Sequence, residues 1–202
     1  MLKYLGFGLF FLAIFMLIPT NSDKSESLKM YGIATIVVKD SSGNILFENV
    51  IHNQVVDVGT TYMLDQTFGD GGTDVSNADQ VDTVCVTDAL TPGGASDDTE
   101  TASDFNTENT LASNNCIGDI SFTTGAASAT TGALTYSAGT HFTAGTTIGG
   151  IGVCGNGASG AGPFNDCDTT PNQAPLLAVV DTTDVTVNTG ESVDITYTLN
   201  LD

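Results

Sequence analysis

Three groups of oxygen donors sit close together along this chain. Asp70, Asp74 and Asp79 form the first, Asp97, Asp98 and Glu100 the second, and Asn165, Asp166 and Asp168 the third. A hard cation such as calcium takes six to eight oxygens, typically from a loop. None of the groups has the DxDxDG spacing of a helix-loop-helix calcium site. Asn165, Asp166 and Asp168 are the best calcium ligands on offer, because Cys167 lies among them and a bridge from Cys154 would hold their loop rigid. No other metal and no organic cofactor is expected.

Catalytic chemistry finds less support. Two carboxylates across a cleft can hydrolyse a glycosidic bond, but among 24 Asp and Glu no pair stands out. His52 and His141 are the only histidines, and neither lies in a catalytic signature. HExxH is absent; Ser159 has Gly157 before it but Ala161 after it, so GxSxG is absent too. GxGxxG occurs at Gly150, Gly152, Gly155 and again at Gly155, Gly157, Gly160. A dinucleotide site needs a helix N-terminus directly after the glycines to receive the pyrophosphate. Here Ala161, Gly162 and Pro163 follow, which read as loop. The sequence therefore points away from an enzyme.

Cys85, Cys116, Cys154 and Cys167 are the remaining reactive groups. An even count in an exported chain predicts disulfides. Of the three possible pairings, Cys85 with Cys116 and Cys154 with Cys167 is favoured, since each would clip a Gly/Ser/Asn-rich excursion. The spacings are too wide, and too poor in nearby histidine, for zinc.

Export itself is read from residues 1–22. Lys3 precedes an unbroken apolar run from Leu5 to Ile18, then Pro19 and small polar residues with a cleavage point after Ser22. The run is short for a membrane-spanning helix, which wants about 20 apolar residues. Two rivals are an uncleaved anchor and a pilin-type helix retained after cleavage near Gly6. Loss of the leader removes Lys3, leaving three lysines and no arginine beneath all the acids, so the net charge falls below the −20 of the full chain. Such a surface repels nucleic acid and anionic headgroups. There is no Asn-x-Ser/Thr sequon.

The elements that carry these groups are strands. Threonine, glycine and serine are abundant and long helical periodicity is missing, which predicts an all-β domain. Residues 23–32 read as a polar tether and 33–202 as a single β-sandwich, Ig-like or jelly-roll-like with Greek-key connections. YGIATIVVKD and ILFENVIHNQVV make a hairpin around SSGN, with Gly43 at positive φ. One short helix is expected near Thr60 to Phe68, closed by Gly69. Later strands are read around VDTVCVTD, ISFTT, ALTYSA, HFTA, TIGGIGV, PLLAVVD, DVTV and SVDITYTLNLD. From Val193 to Asp202 apolar and polar residues alternate to the last position, so one face carries Val193, Ile195, Tyr197, Leu199 and Leu201.

The succession IHNQVVDVGTTYMLDQTF, ALTYSAGTHFTAGTTIGGIGV, PLLAVVD and VNTGESVDITYTLNLD resembles secreted, acidic β-sandwich surface proteins of archaea, some of which polymerise into extracellular filaments. Its layout is also similar to β-sandwich structural proteins of phage tails. The resemblance implies self-assembly rather than catalysis, and it carries no catalytic residues. The expected function is that of an extracellular, cell-surface filament or pilus subunit joined by strand pairing between copies. YGIATIVV, tethered through residues 23–29, is the favoured donated strand, while VDITYTLNLD is favoured to complete its own sandwich and is the other candidate for donation, because neither has a lysine, proline or bulge inside its run to blunt an edge. The alternatives are a carbohydrate-binding adhesin and a type IV pilin-like subunit.

Overall fold

The computed structural model describes residues 30–57, 59–60, 63, 81–88, 101–108, 111, 114–118, 120–155, 167 and 176–201. The leader, most of the tether and the acidic groups at 70–79, 97–100 and 165–168 lie outside these residues. The strands are β1 Met30–Lys39, β2 Ile45–Gln54, β3 Thr83–Thr87, β4 Cys116–Ile117, β5 Thr123–Thr124, β6 Ser128–Thr130, β7 Leu134–Ser137, β8 Thr146–Cys154, β9 Ala178–Val187 and β10 Ser192–Leu201. A helix, α1, runs Ala102–Glu108. The all-β sandwich read from the sequence is what forms.

Two antiparallel sheets make it. The first runs β2-β1-β10-β6-β5, with β7 also on β10; the second runs β4-β3-β8-β9. β7 pairs with the Ser192–Ile195 half of β10 and β6 with the Thr198–Asn200 half. Between them Thr131 bonds the backbone of Tyr197 twice, its N–H donating to the carbonyl and its Oγ1 accepting from the N–H. Alternation decides the inner face: Ala34, Ile36 and Val38 of β1 meet Val193, Ile195, Tyr197 and Leu199 of β10 in the core, against Val84, Val86, Ile151, Val153 and Val180 of the second sheet. Leu201, the fifth apolar position of the terminal run, is exposed instead.

The terminal run completes its own sandwich, as favoured, and both strands read as candidates for donation are interior. β1 is paired to β2 and β10, and β10 to β1 and the β6/β7 row. Donating either between copies would require withdrawing it from the middle of a sheet. β1 also starts at Met30, inside the expected tether. The DVTV run and Ala178 to Asp181 of the PLLAVVD run form one strand, β9, bulged opposite Ile148 and Gly150. HFTA is a turn held by a bridge between Ala138 and Phe142.

The hairpin turn forms as its residues dictate. Asp40 Oδ1 accepts from the N–H groups of Ser42 and Asn44, Asn44 Nδ2 donates to Oδ2, and Gly43 takes φ +82°. Those bonds, Asn44's foremost, hold the Asp40 carboxyl below its ordinary value. The helix expected from Thr60 begins earlier, since Asp57, Gly59, Thr60 and Met63 are helical, and its continuation lies outside the described residues. α1 lies in the stretch read as loop.

Lys39 Nζ donates to Asp194 Oδ2 at 2.6 Å on the outer face, and Thr135 Oγ1 donates to Oδ1 at 2.7 Å. Partial burial pushes Asp194 up, and the Lys39 and Thr135 bonds more than reverse it, so its carboxyl titrates below the ordinary value. Burial also lowers His141, whose Nδ1 accepts from the Ser137 N–H at 2.9 Å. A lowered folded pKa means stability is full above the unfolded pKa and is lost as pH falls. His141 therefore weakens the fold as pH drops through about 6.5 and Asp194 only below about 3.9. Asp194→Asn should reduce stability by at most about 1 kcal/mol at pH 7 and shrink the lower step, which Asp40 shares, while leaving the upper one. Denaturant melts between pH 7 and 2.5 read both steps, and an unchanged profile below pH 4 would remove Asp194 from the account.

Candidate interaction surface

The sites proposed from sequence fare differently in three dimensions. The cysteines pair as favoured, Cys85 with Cys116 and Cys154 with Cys167, and no cysteine is free. β3 and β4 bring Cys85 opposite Cys116. The Sγ atoms of Cys85, Cys154 and Cys167 all lie within 4.8 Å of one another, so the bridges form a single buried cluster. Every sulfur is engaged in a bridge and none offers a thiolate to a metal. The calcium ligands Asn165, Asp166 and Asp168 lie outside the described residues.

Around the bridges the outer face of the second sheet is covered. Phe105 and Ala102 of α1 pack there with Val56, Leu176 and Val179. Asn106 clamps Cys167, its Nδ2 donating to the carbonyl at 2.7 Å and its Oδ1 accepting from the N–H at 3.0 Å. Gly150 and Gly152 of the dinucleotide-like motif lie within β8, and the ring of Phe105 occupies the space above Gly152. That glycine serves packing.

The histidines are far from any catalytic arrangement. His141 stands edge-on to buried Tyr136, with ring centroids 5.4 Å apart. His52 stacks on Tyr31 at 6.1 Å on the outer face of the first sheet. Among the described residues no hydroxyl, thiol or carboxylate is hydrogen-bonded to either ring.

An apolar cavity of about 490 Å³ opens between the sheets, lined by Met63, Val81, Ile120, Phe122, Leu177 and Leu199 among others. Among the described residues it offers hydrophobic walls and one aromatic ring, and no cluster of polar groups to orient a sugar.

The most unusual surface is β2. It ends the first sheet, paired to β1 on one side and, among the described residues, to no strand on the other. Its ten residues contain no lysine, arginine or proline. Its one register shift lies at the hairpin end, opposite Val38 and Lys39, so the stretch from Phe47 to Asn53 is regular. The inner row is pinned to β9 by side chains: Asn49 Nδ2 donates to Thr183 Oγ1 at 3.3 Å and Asn53 Nδ2 to the Val179 carbonyl at 3.0 Å. β9 thus lies close along this side of β2, and just past β2 a bridge between Val55 and Ala178 joins the two sheets. The outer row carries Leu46, Glu48, Val50 and His52, all exposed. Ile45, Leu46 and Val50 are 58%, 54% and 53% exposed, the most exposed of the large hydrophobic residues described.

An exposed apolar row on a terminal strand is the kind of surface that lysine, proline or a bulge usually guards. Sequence reading missed β2 because it looked at the chain's ends; the signal was there in ILFENVIHNQ, whose alternate positions are apolar on both faces. Comparison of the chain with family models, curated proteins and solved structures finds no match in any of the three.

Proposed function

We propose that this chain is an extracellular structural protein, a subunit of a cell-surface filament or layer assembled through strand pairing between copies. The observation that carries the reading is the exposed apolar row of the terminal strand β2, Ile45, Leu46 and Val50, on an otherwise well-buried sandwich. Two bridges suit an oxidising compartment, and a strongly acidic, arginine-free surface suits solubility outside the cell. Catalysis has no constellation to support it among the described residues.

Electron microscopy of the cell surface and the cell-free supernatant tests the reading. Ordered filaments or sheets labelled by antibody to this chain are expected. Soluble monomers at every concentration and salt condition would overturn it, and so would turnover of a glycan or peptide by the purified chain. A second reading, a binding module at the cell surface, is favoured by the apolar cavity between the sheets. Its occupant would be an acyl chain or similar apolar ligand rather than a sugar, since hydrophobic walls with no convergent polar groups among the described residues supply burial but no orientation.

A further inference from the structure

We infer that the four cysteines form one thiol–disulfide exchange relay, in which a thiolate freed at Cys85 takes Cys167 from Cys154 and leaves the thiol on Cys154. The relay concerns the bridged face alone and stands apart from the assembly reading. Exchange proceeds by attack of a thiolate on a disulfide sulfur, so it needs the two within reach. The Sγ atoms of Cys85, Cys154 and Cys167 lie within 4.8 Å of one another, so Cys85 neighbours both sulfurs of the second bridge.

The sheet chooses which sulfur is taken. β3 and β8 pair with Cys85 opposite Gly152, which puts Cys154 two residues along on the same face. Such diagonal positions lie about 7–8 Å apart between Cα atoms. A bridge usually spans about 4.4–6.8 Å, and ladder hydrogen bonds fix both strands. Cys167 belongs to no strand and is held by two hydrogen bonds from Asn106, a softer restraint than a ladder. The product is therefore a Cys85–Cys167 bridge, and the anchorage of Cys167 moves from β8 to β3.

The step balances without an oxidant or reductant. The Cys85 thiolate forms the new bond to Cys167 Sγ as the Cys154–Cys167 bond breaks, and the electron pair leaves on Cys154. Phe105, Val56, Leu176 and Val179 surround the sulfurs, and Cys85 and Cys154 are fully buried. A thiol from outside is thus kept from those two, and exchange stays within the chain. Entry is at Cys116, which at 5% is the most exposed of the four and lies on the terminal strand β4. A small dithiol attacking Cys116 Sγ releases Cys85 as thiolate; its second sulfur then displaces Cys116 as a thiol and closes the dithiol's own disulfide.

Cys116→Ser frees Cys85 with no reductant present. The full chain carrying that substitution, made with its own N-terminal segment in an oxidising compartment, would be held at mildly alkaline pH, quenched with acid, alkylated and mapped by non-reducing peptide mass analysis. A thermal melt establishes that it folds. The Cys85–Cys167 peptide and alkylated Cys154 should appear several-fold above their level in concentrated urea, where the short separation of 13 residues favours Cys154–Cys167 over any longer loop. In the wild type treated with limiting dithiothreitol, the intermediate with two thiols should carry Cys85–Cys167, with Cys116 and Cys154 alkylated. A folded Cys116→Ser chain alkylated at Cys85 alone would overturn the relay, as would equal levels of the new bridge in urea or a Cys85–Cys154 product. Should that variant fail to fold, the wild type decides: intermediates bearing only the two native bridges would overturn the inference.

Discussion

Replacing Cys85 and Cys116 by serine together should lower stability by about 3–4 kcal/mol, and replacing Cys154 and Cys167 by about 3 kcal/mol. The figures follow from loop closure: the bridges span 31 and 13 residues, and cross-linking a longer loop removes more entropy from the unfolded chain. Burial adds a local cost. All four cysteines are buried, so each serine leaves a hydroxyl where a sulfur had made apolar contacts, and an unpaired buried hydroxyl is unfavourable. Because native domains are stable by only about 5–15 kcal/mol, loss of both bridges should leave a domain close to unfolding at 37 °C. The two pairs share one cluster, so their costs should not add. Thermal and denaturant melts of the two double variants and the quadruple variant measure this. A drop under about 1 kcal/mol for the longer loop would show that the unfolded chain is already compact there.

Cysteine pairing was legible in the sequence because the excursions between the cysteines were legible. Strand positions were legible for the same kind of reason: period-2 alternation in YGIATIVV and VDITYTLNL leaves only one face to bury, and the structure buries it. What alternation cannot convey is neighbourhood. β1 and β10 lie at opposite ends of the described chain and pair along their whole length, Met30 with Leu201 through Lys39 with Ser192. Their unguarded runs thus mark the middle of a sheet, while the edge falls to β2, whose residues look no different locally. Long-range pairing is decided by which hydrophobic faces fit together, and a single sequence does not display that.

Helix α1 was missed for a different reason. Its residues, ASDFNTE, are mostly poor helix formers, and they follow a long acidic stretch that reads as loop. The signal present was Thr101-x-x-Asp104, the pattern of a capping box. In the structure Thr101 Oγ1 accepts from the Asp104 N–H while Asp104 Oδ2 accepts from the Thr101 N–H. Tertiary contacts complete what propensity does not, since seven residues cannot hold a helix in water alone. The interaction surface was the least legible part. Its candidates from sequence were clusters of oxygen donors and terminal strands, and Asn165, Asp166 and Asp168 lie outside the described residues.

Phe105→Ala should cost about 3–5 kcal/mol, the range for emptying a buried aromatic site, and it should act first on α1. Phe105 is fully buried and is the largest side chain of the cluster that holds α1 against the second sheet. The ring lies over Gly152, where a Cβ would come within 2.6 Å of Cζ. That proximity yields a sharper expectation than truncation alone. Gly152→Ala should itself destabilise by about 1–3 kcal/mol through overpacking, because Gly152 is in the middle of β8, paired to Cys85 on one side and Val179 on the other, and cannot move aside. In the Phe105→Ala background the added methyl enters a vacated space and should be neutral or mildly stabilising. The double variant would then be more stable than the sum of its parts by more than 1 kcal/mol, the mark of residues in direct contact. Hydrogen exchange supplies the second reading: loss of Phe105 should speed exchange in α1 before it reaches β1 and β10, whose core is separate. Strict additivity of the two substitutions would show that Phe105 does not sit on Gly152 in solution, and uniform exchange across both sheets would show that α1 and the bridged face unfold only with the whole domain.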